Sequence, residues 1–179
     1  RIRYVATSRL RYNTGRITPE ERARGLQLPV NITPRMQRLV RGWQVATDNN
    51  HRDMVNLALG YFRNREFYYT LRPPTLGDNP VDRFLFESRR GFCEHYATSF
   101  TLLMRLAGIP ARIVTGYQGG EYNPLGEHLV VRQSDAHAWS EVWLPGSGWI
   151  RVDPTAAVAP ERIERSFEFD QDFSVDLLG

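Results

Sequence analysis

A single cysteine, Cys93, stands two residues after Gly91, at the head of the run CEHYATSFTLLMRLAG. Apolar residues recur in that run at helical spacing, and Gly108 and Pro110 close it. Sulfur at a helix start has a chemical meaning, because unpaired N–H groups and the helix dipole favour a thiolate there. The glycine just ahead permits a sharp turn that leaves the sulfur accessible. A thiol nucleophile needs a base, and His137 in DAHAWSEVWL is the strongest candidate. Alternation puts His137, Trp139 and Glu141 on one strand face and Ala136, Ala138 and Ser140 on the other. The base needs an orienting group. Asp153 ends GWIRVD, and the turn PGSG joins that segment to the His137 strand, so the two residues fall on neighbouring antiparallel strands. From there Asp153 is expected to accept the Nδ1–H of His137 and fix the ring. Asp135, two residues before His137, leans along the same strand and is the poorer orienter.

Spacing alone leaves Cys93 open to other uses. It suits a small buried hydrophobe, a redox thiol or a zinc ligand, the last with His95 and either His128 or His137. The zinc reading lacks any paired ligand spacing, and one cysteine excludes an internal disulfide.

The elements that must carry these residues are legible as helices first and strands after. ITPRMQRLVRGWQVAT reads as a helix, with Thr33 as N-cap and Pro34 at N1. HRDMVNLALGYFRNR reads as a second helix with His51 near its cap, and EFYYTL as a short aromatic strand. NPVDRFLFES reads as a short helix capped by Asn79, and EYNPLGE as a loop. After the Cys93 helix come ARIVTGYQ, HLVVRQ, AHAWSEVWL and GWIRVD, all strand-like and separated by turn residues. That order predicts an α+β domain with an antiparallel sheet. We expect one domain over 1–179. Its parts are an extended N-terminal arm with a strand or two (1–32), a mainly helical part (33–110), antiparallel strands (111–157) and an acidic C-terminal tail running over the surface (158–179).

Composition narrows the function classes. An apolar content of 41% supports a real core, and no apolar run approaches the roughly 20 residues of a membrane span. The chain opens on Arg1, which suggests a processed or excised piece whose export and anchoring signals lie elsewhere. All 23 basic residues are arginine, and they are spread along the chain without the concentrated face that nucleic acid needs. No acidic loop of calcium-binding type is present.

Four blocks then carry a family resemblance: GFCEHYA, GIPARIVTGY, HAWSEVW and GWIRVDPT, in that order, across about residues 66–157. They resemble the transglutaminase-like core, and RRGFCEHYA behind FLFES is similar to its bacterial membrane-anchored branch. The resemblance implies a papain-like fold, a Cys93–His137–Asp153 triad and no cofactor or metal. It also implies acyl transfer from a peptide or protein glutamine through a cysteine thioester to a primary amine, in a periplasmic domain of an inner-membrane protein. The same triad with water as acceptor gives an amidase or protease. A non-catalytic scaffold is the further alternative. The resemblance also places a second oxyanion donor, beside the Cys93 N–H, on an aromatic side chain upstream. Here the matching segment FYYTL offers Tyr69 first and Tyr68 second, without the tryptophan of animal relatives. Trp139, which shares the His137 face, and His128 are candidates for lining the cleft. The oligomeric state is not legible.

Overall fold

The structure, a computed structural model, describes residues 5, 7 and 12–161. In chain order the elements are α1 (Pro19–Gly25), α2 (Pro34–Ala46), α3 (His51–Asn64), β1 (Tyr68–Tyr69), α4 (Pro80–Arg83), β2 (Arg90–Gly91), α5 (Cys93–Leu106), β3 (Ala111–Tyr117), β4 (Glu121–Asn123), β5 (His128–Val130), β6 (Ala136–Leu144) and β7 (Gly148–Val152). A π-helical turn, Phe84–Ser88, continues α4, and a 3-10 turn, Gln133–Asp135, leads into β6.

Helix α5 is the centre of the molecule. Its Tyr96, Phe100, Leu103 and Met104 are fully buried in the main apolar cluster with Met36 and Val40 of α2 and Met54, Ala58 and Phe62 of α3. Rings of Phe62, Phe67, Phe84 and Tyr96 meet mostly edge to face, with centroids 5.0–6.2 Å apart, the arrangement their quadrupoles prefer. The other side of α5 faces the sheet. There β6 lies between β3 and β7, antiparallel to both. Alternation along β6 buries Ala138, Ser140, Val142 and Leu144 and leaves the opposite face half-buried. Ser140 is polar on the buried face because its hydroxyl is fully engaged. It meets Thr101 Oγ1 at 2.9 Å and donates to the Ala97 carbonyl at 3.1 Å. This pins β6 to α5 one helical turn beyond Cys93.

The helical part is tied together by a charged clamp. Thr33, which caps α2, and Arg35 both bond the carboxylate of Asp82 in α4, and Arg35 also reaches Glu87 at 2.8 Å.

Three local expectations need correction. Among its described residues the arm contains helix α1 and no strand. Thr18 and Glu21 form a reciprocal capping box with Pro19 at N1, which is the start signal of α2 in a more charged segment. Asn79 makes no side-chain cap for α4; it is left-handed, at φ 56°, and accepts from Asn31. The EYNPLGE stretch is no plain loop, because β4 pairs with β5 as a hairpin. The expected tail beyond residue 161 and the first residues of the arm lie outside the described residues.

Candidate active site

Cys93 is the first residue of α5. An α-helix offers its first amides no internal acceptor, so the Cys93 and Glu94 N–H groups belong to the unsatisfied N-terminal set. The parallel pairing of β1 with β2 brings Tyr69 opposite Gly91, two residues before Cys93. Thr70 N donates to the Gly91 carbonyl at 2.8 Å, which fixes that segment over the helix start.

Gly91 is needed for a reason the spacing does not reveal. Its φ is unexceptional. A Cβ there would lie 2.7 Å from His95 and 2.9 Å from Phe84. The glycine makes room for the His95 ring, which packs between Phe84 and Phe92 and accepts from Phe92 N at 3.4 Å. Burial pushes the His95 imidazolium below the ordinary histidine range. Cys93 is also less accessible than expected: 8% exposed, in a small cluster with Ala97 and Ala138 apart from the main core. It sits on the floor of a cleft of about 400 Å³.

His137 is the second residue of β6 and lines the same cleft. Its Nε2 lies 2.7 Å from Asp153 Oδ2, both side chains being about nine-tenths buried. The expected nitrogen was Nδ1. Strand register supplies the reason. Ser140 pairs with Val152, so Asp153 falls beside Trp139 and reaches His137 diagonally. A diagonal neighbour across an antiparallel pair is about 7–8 Å away at the backbone, and the far nitrogen of the ring spans that gap. Asp153 takes Nε2 and so leaves Nδ1, nearer the strand, as the nitrogen available toward the cleft that Cys93 also lines. Burial lowers the His137 pKa, but the bonds and charges of Asp153 and Cys93 outweigh it and raise the group to about 9. Thr155 N holds the other carboxylate oxygen of Asp153 at 3.1 Å. Asp135 is occupied elsewhere: its carboxylate accepts from Arg132 N at 2.6 Å.

The remaining candidates separate. Tyr69 lines the cleft at Cys93 and a second, polar cavity of about 250 Å³ that also opens on His137. Its ring lies parallel to that of Tyr96, centroids 6.5 Å apart. Tyr68 points away and is 54% exposed. Trp139 lines neither cavity. Its ring lies nearly parallel to His137 at 6.2 Å and crosses Gly116, where a Cβ would meet it at 3.0 Å. His128 is outside the cleft as well, its exposed ring turned back on the Gly126 carbonyl at 2.9 Å. Unforeseen cleft residues are Leu71, Thr115, Gln133 and Ser134. Gln118 and Thr155 line the second cavity. No residue type or spacing marked any of them. No cluster of metal-ligating side chains occurs among the described residues.

A thiol at a helix start, an imidazole on a neighbouring strand and a carboxylate bonded to it form an arrangement whose chemistry suits nucleophilic acyl transfer. A family model of the transglutaminase-like superfamily matches residues 39–154, and the chain belongs to that superfamily. It is 50% identical over 152 residues to the protein-glutamine gamma-glutamyltransferase of Pseudomonas aeruginosa, a match covering 85% of this chain and 23% of that protein. It is 36% identical over 139 residues to YebA of Bacillus subtilis, covering 74% of this chain and 19% of YebA. The crystal structure of the periplasmic domain of TgpA from P. aeruginosa superposes with a TM-score of 0.80 at 50% identity, over 84% of this chain and 52% of that one. The chain thus spans a quarter or less of these two curated relatives.

Proposed function

We propose that this chain is one domain that transfers the acyl group of a peptide glutamine to a primary amine, with Cys93 as nucleophile, His137 as acid and base, and Asp153 as orienter. Cys93 Sγ attacks the γ-carboxamide carbon. The C–N bond breaks, and His137 gives its proton to the departing ammonia. A thioester remains on Cys93. The acceptor amine then attacks the thioester carbonyl, His137 takes the amine proton, and the new amide leaves as the thiol is restored. The Cys93 N–H and the Tyr69 hydroxyl are the oxyanion donors in this reading. The observation that carries it is the His137 Nε2–Asp153 Oδ2 contact of 2.7 Å, with His137 and Cys93 lining one cleft.

The name of the Pseudomonas enzyme supports glutamine as donor. Its periplasmic domain supports a periplasmic site for this chain in a membrane-anchored parent. No helix among the described residues is long and apolar enough to cross a membrane.

The test is ammonia release from a glutamine-containing peptide, with and without a primary amine. Amine incorporation supports the transferase. Glutamate as sole product in the presence of amine makes the enzyme a hydrolase. Cys93→Ala should lose at least ~10³-fold in rate, with an unchanged circular dichroism spectrum because the residue lies outside the main core. Near-normal turnover in that variant would end the mechanism.

A further inference from the structure

We propose that Arg151 is a positioning residue: clamped over Trp139, its guanidinium shares the Asp153 oxygen that holds His137 and lowers the pH at which His137 gives up its proton. The proposal rests on the catalytic reading of His137 above.

Arg151 lies on β7 opposite Glu141 of β6, and the obvious partner for it is that carboxylate. Glu141 is already taken. Arg112 of β3 holds its Oε2 from Nε at 2.8 Å and from Nη2 at 2.7 Å. Arg151 instead leans along the sheet, with its Cζ 4.4 Å from the centre of the Trp139 ring and Nη2 3.4 Å from Asp153 Oδ2. That oxygen is the one bonded to His137 Nε2. Trp139 in turn lies along His137 and is wedged over Gly116. Sheet register therefore stacks imidazole, indole and guanidinium, and the guanidinium ends on the carboxylate of the pair.

Two consequences have the same sign. A cation near the imidazole disfavours its protonated form. The Arg151 bond also draws on the oxygen that stabilises the imidazolium. Neutral His137 is the form that accepts a proton from the incoming amine, so Arg151 brings the base form nearer to neutral pH. Removing Arg151 does not release the carboxylate, because Thr155 N still holds Oδ1. The other ionisable groups facing His137 are Cys93 and Glu94 of α5, Tyr69 of β1, Glu121 of β4, and Arg132 and Asp135 ahead of β6. Glu121 and Arg132 pair with each other at 2.5 Å, and Asp135 is held by the Arg132 backbone. Arg151 is the charge in direct contact with the orienting carboxylate. Its side chain is 43% exposed, so water screens part of the effect.

The experiment is an NMR titration of the His137 ring in the folded protein at low salt, assigned with His137→Gln. In Arg151→Gln the midpoint should rise by about half a pH unit, a size set by the screening of exposed charges. Arg151→Lys should recover most of that shift, which a purely structural role would not predict. An unmoved or lowered midpoint in Arg151→Gln overturns the proposal, as does failure of Arg151→Lys to recover it. If the midpoint rises in Arg151→Gln while the wild type releases no ammonia from glutamine peptides, the proposed reaction is overturned and the role of Arg151 stands.

Discussion

At the scale of single residues, the His137 ring joins three parts of the chain far apart in sequence. Its pKa of about 9 stands above the ordinary value of 6.5. A raised histidine pKa stabilises the folded state, fully below about pH 6.5, and the gain disappears as pH climbs through about 9. Asp153→Asn removes the charged partner and should remove most of this dependence. Melting temperatures of wild type and Asp153→Asn should therefore converge between about pH 6.5 and 9; a gap constant across that window would mean the imidazole is not held protonated by Asp153. The same substitution should slow the reaction by orders of magnitude, though less than Cys93→Ala, because Asn keeps a hydrogen bond while stabilising the imidazolium less.

At the scale of elements, the site depends on two contacts that hold α5 against its neighbours. Gly91→Ala forces a Cβ into His95 and Phe84. Overpacking of this kind costs about 1–3 kcal/mol, and the strain falls on the turn that presents Cys93. Denaturant unfolding should show the loss, and turnover should fall further than stability alone explains. A Gly91→Ala protein with normal stability and rate would show the turn to be slack. Ser140→Ala strips Thr101 of its buried partner. A buried hydroxyl left without one costs about 1–3 kcal/mol, and the double change to Ser140→Ala with Thr101→Val should recover part of that loss. No recovery would mean the pair does not act together.

At the scale of the whole molecule, the absence of lysine bears on the chemistry. Under the proposed reaction, a chain without lysine offers its own thioester no side-chain amine. After reaction with a labelled glutamine peptide and hydroxylamine treatment to clear the thioester, mass mapping should find no labelled side chain in the wild-type chain. Arg72→Lys, exposed and next to the cleft residue Leu71, should acquire the label. Labelling of the wild type at another side chain, or none in Arg72→Lys with active enzyme, would show that surface amines do not govern self-modification.

The residues that the structure brings together in the candidate site were largely legible in the chain because their signals are local. A helix-start thiol, alternation around His137 and a short hairpin to Asp153 need nothing beyond neighbouring residues and the periods of helix and strand. The α2 and α5 boundaries were legible for the same reason, through Thr33–Pro34 and Gly108–Pro110. What local pattern does not contain is register and approach between segments. The offset of β7 along β6 turned Nε2 of His137, and not the expected Nδ1, to Asp153. Hairpin pairing carried His128 out of the cleft, and β1–β2 pairing set Tyr69 inward and Tyr68 outward. The close packing of His95 gave Gly91 its purpose, and the capture of Glu141 by Arg112 sent Arg151 to Asp153. Each of these depends on how segments pair and pack, which is settled only as the whole chain buries its apolar faces. Burial is a sum over the whole chain, and no short stretch of sequence records it.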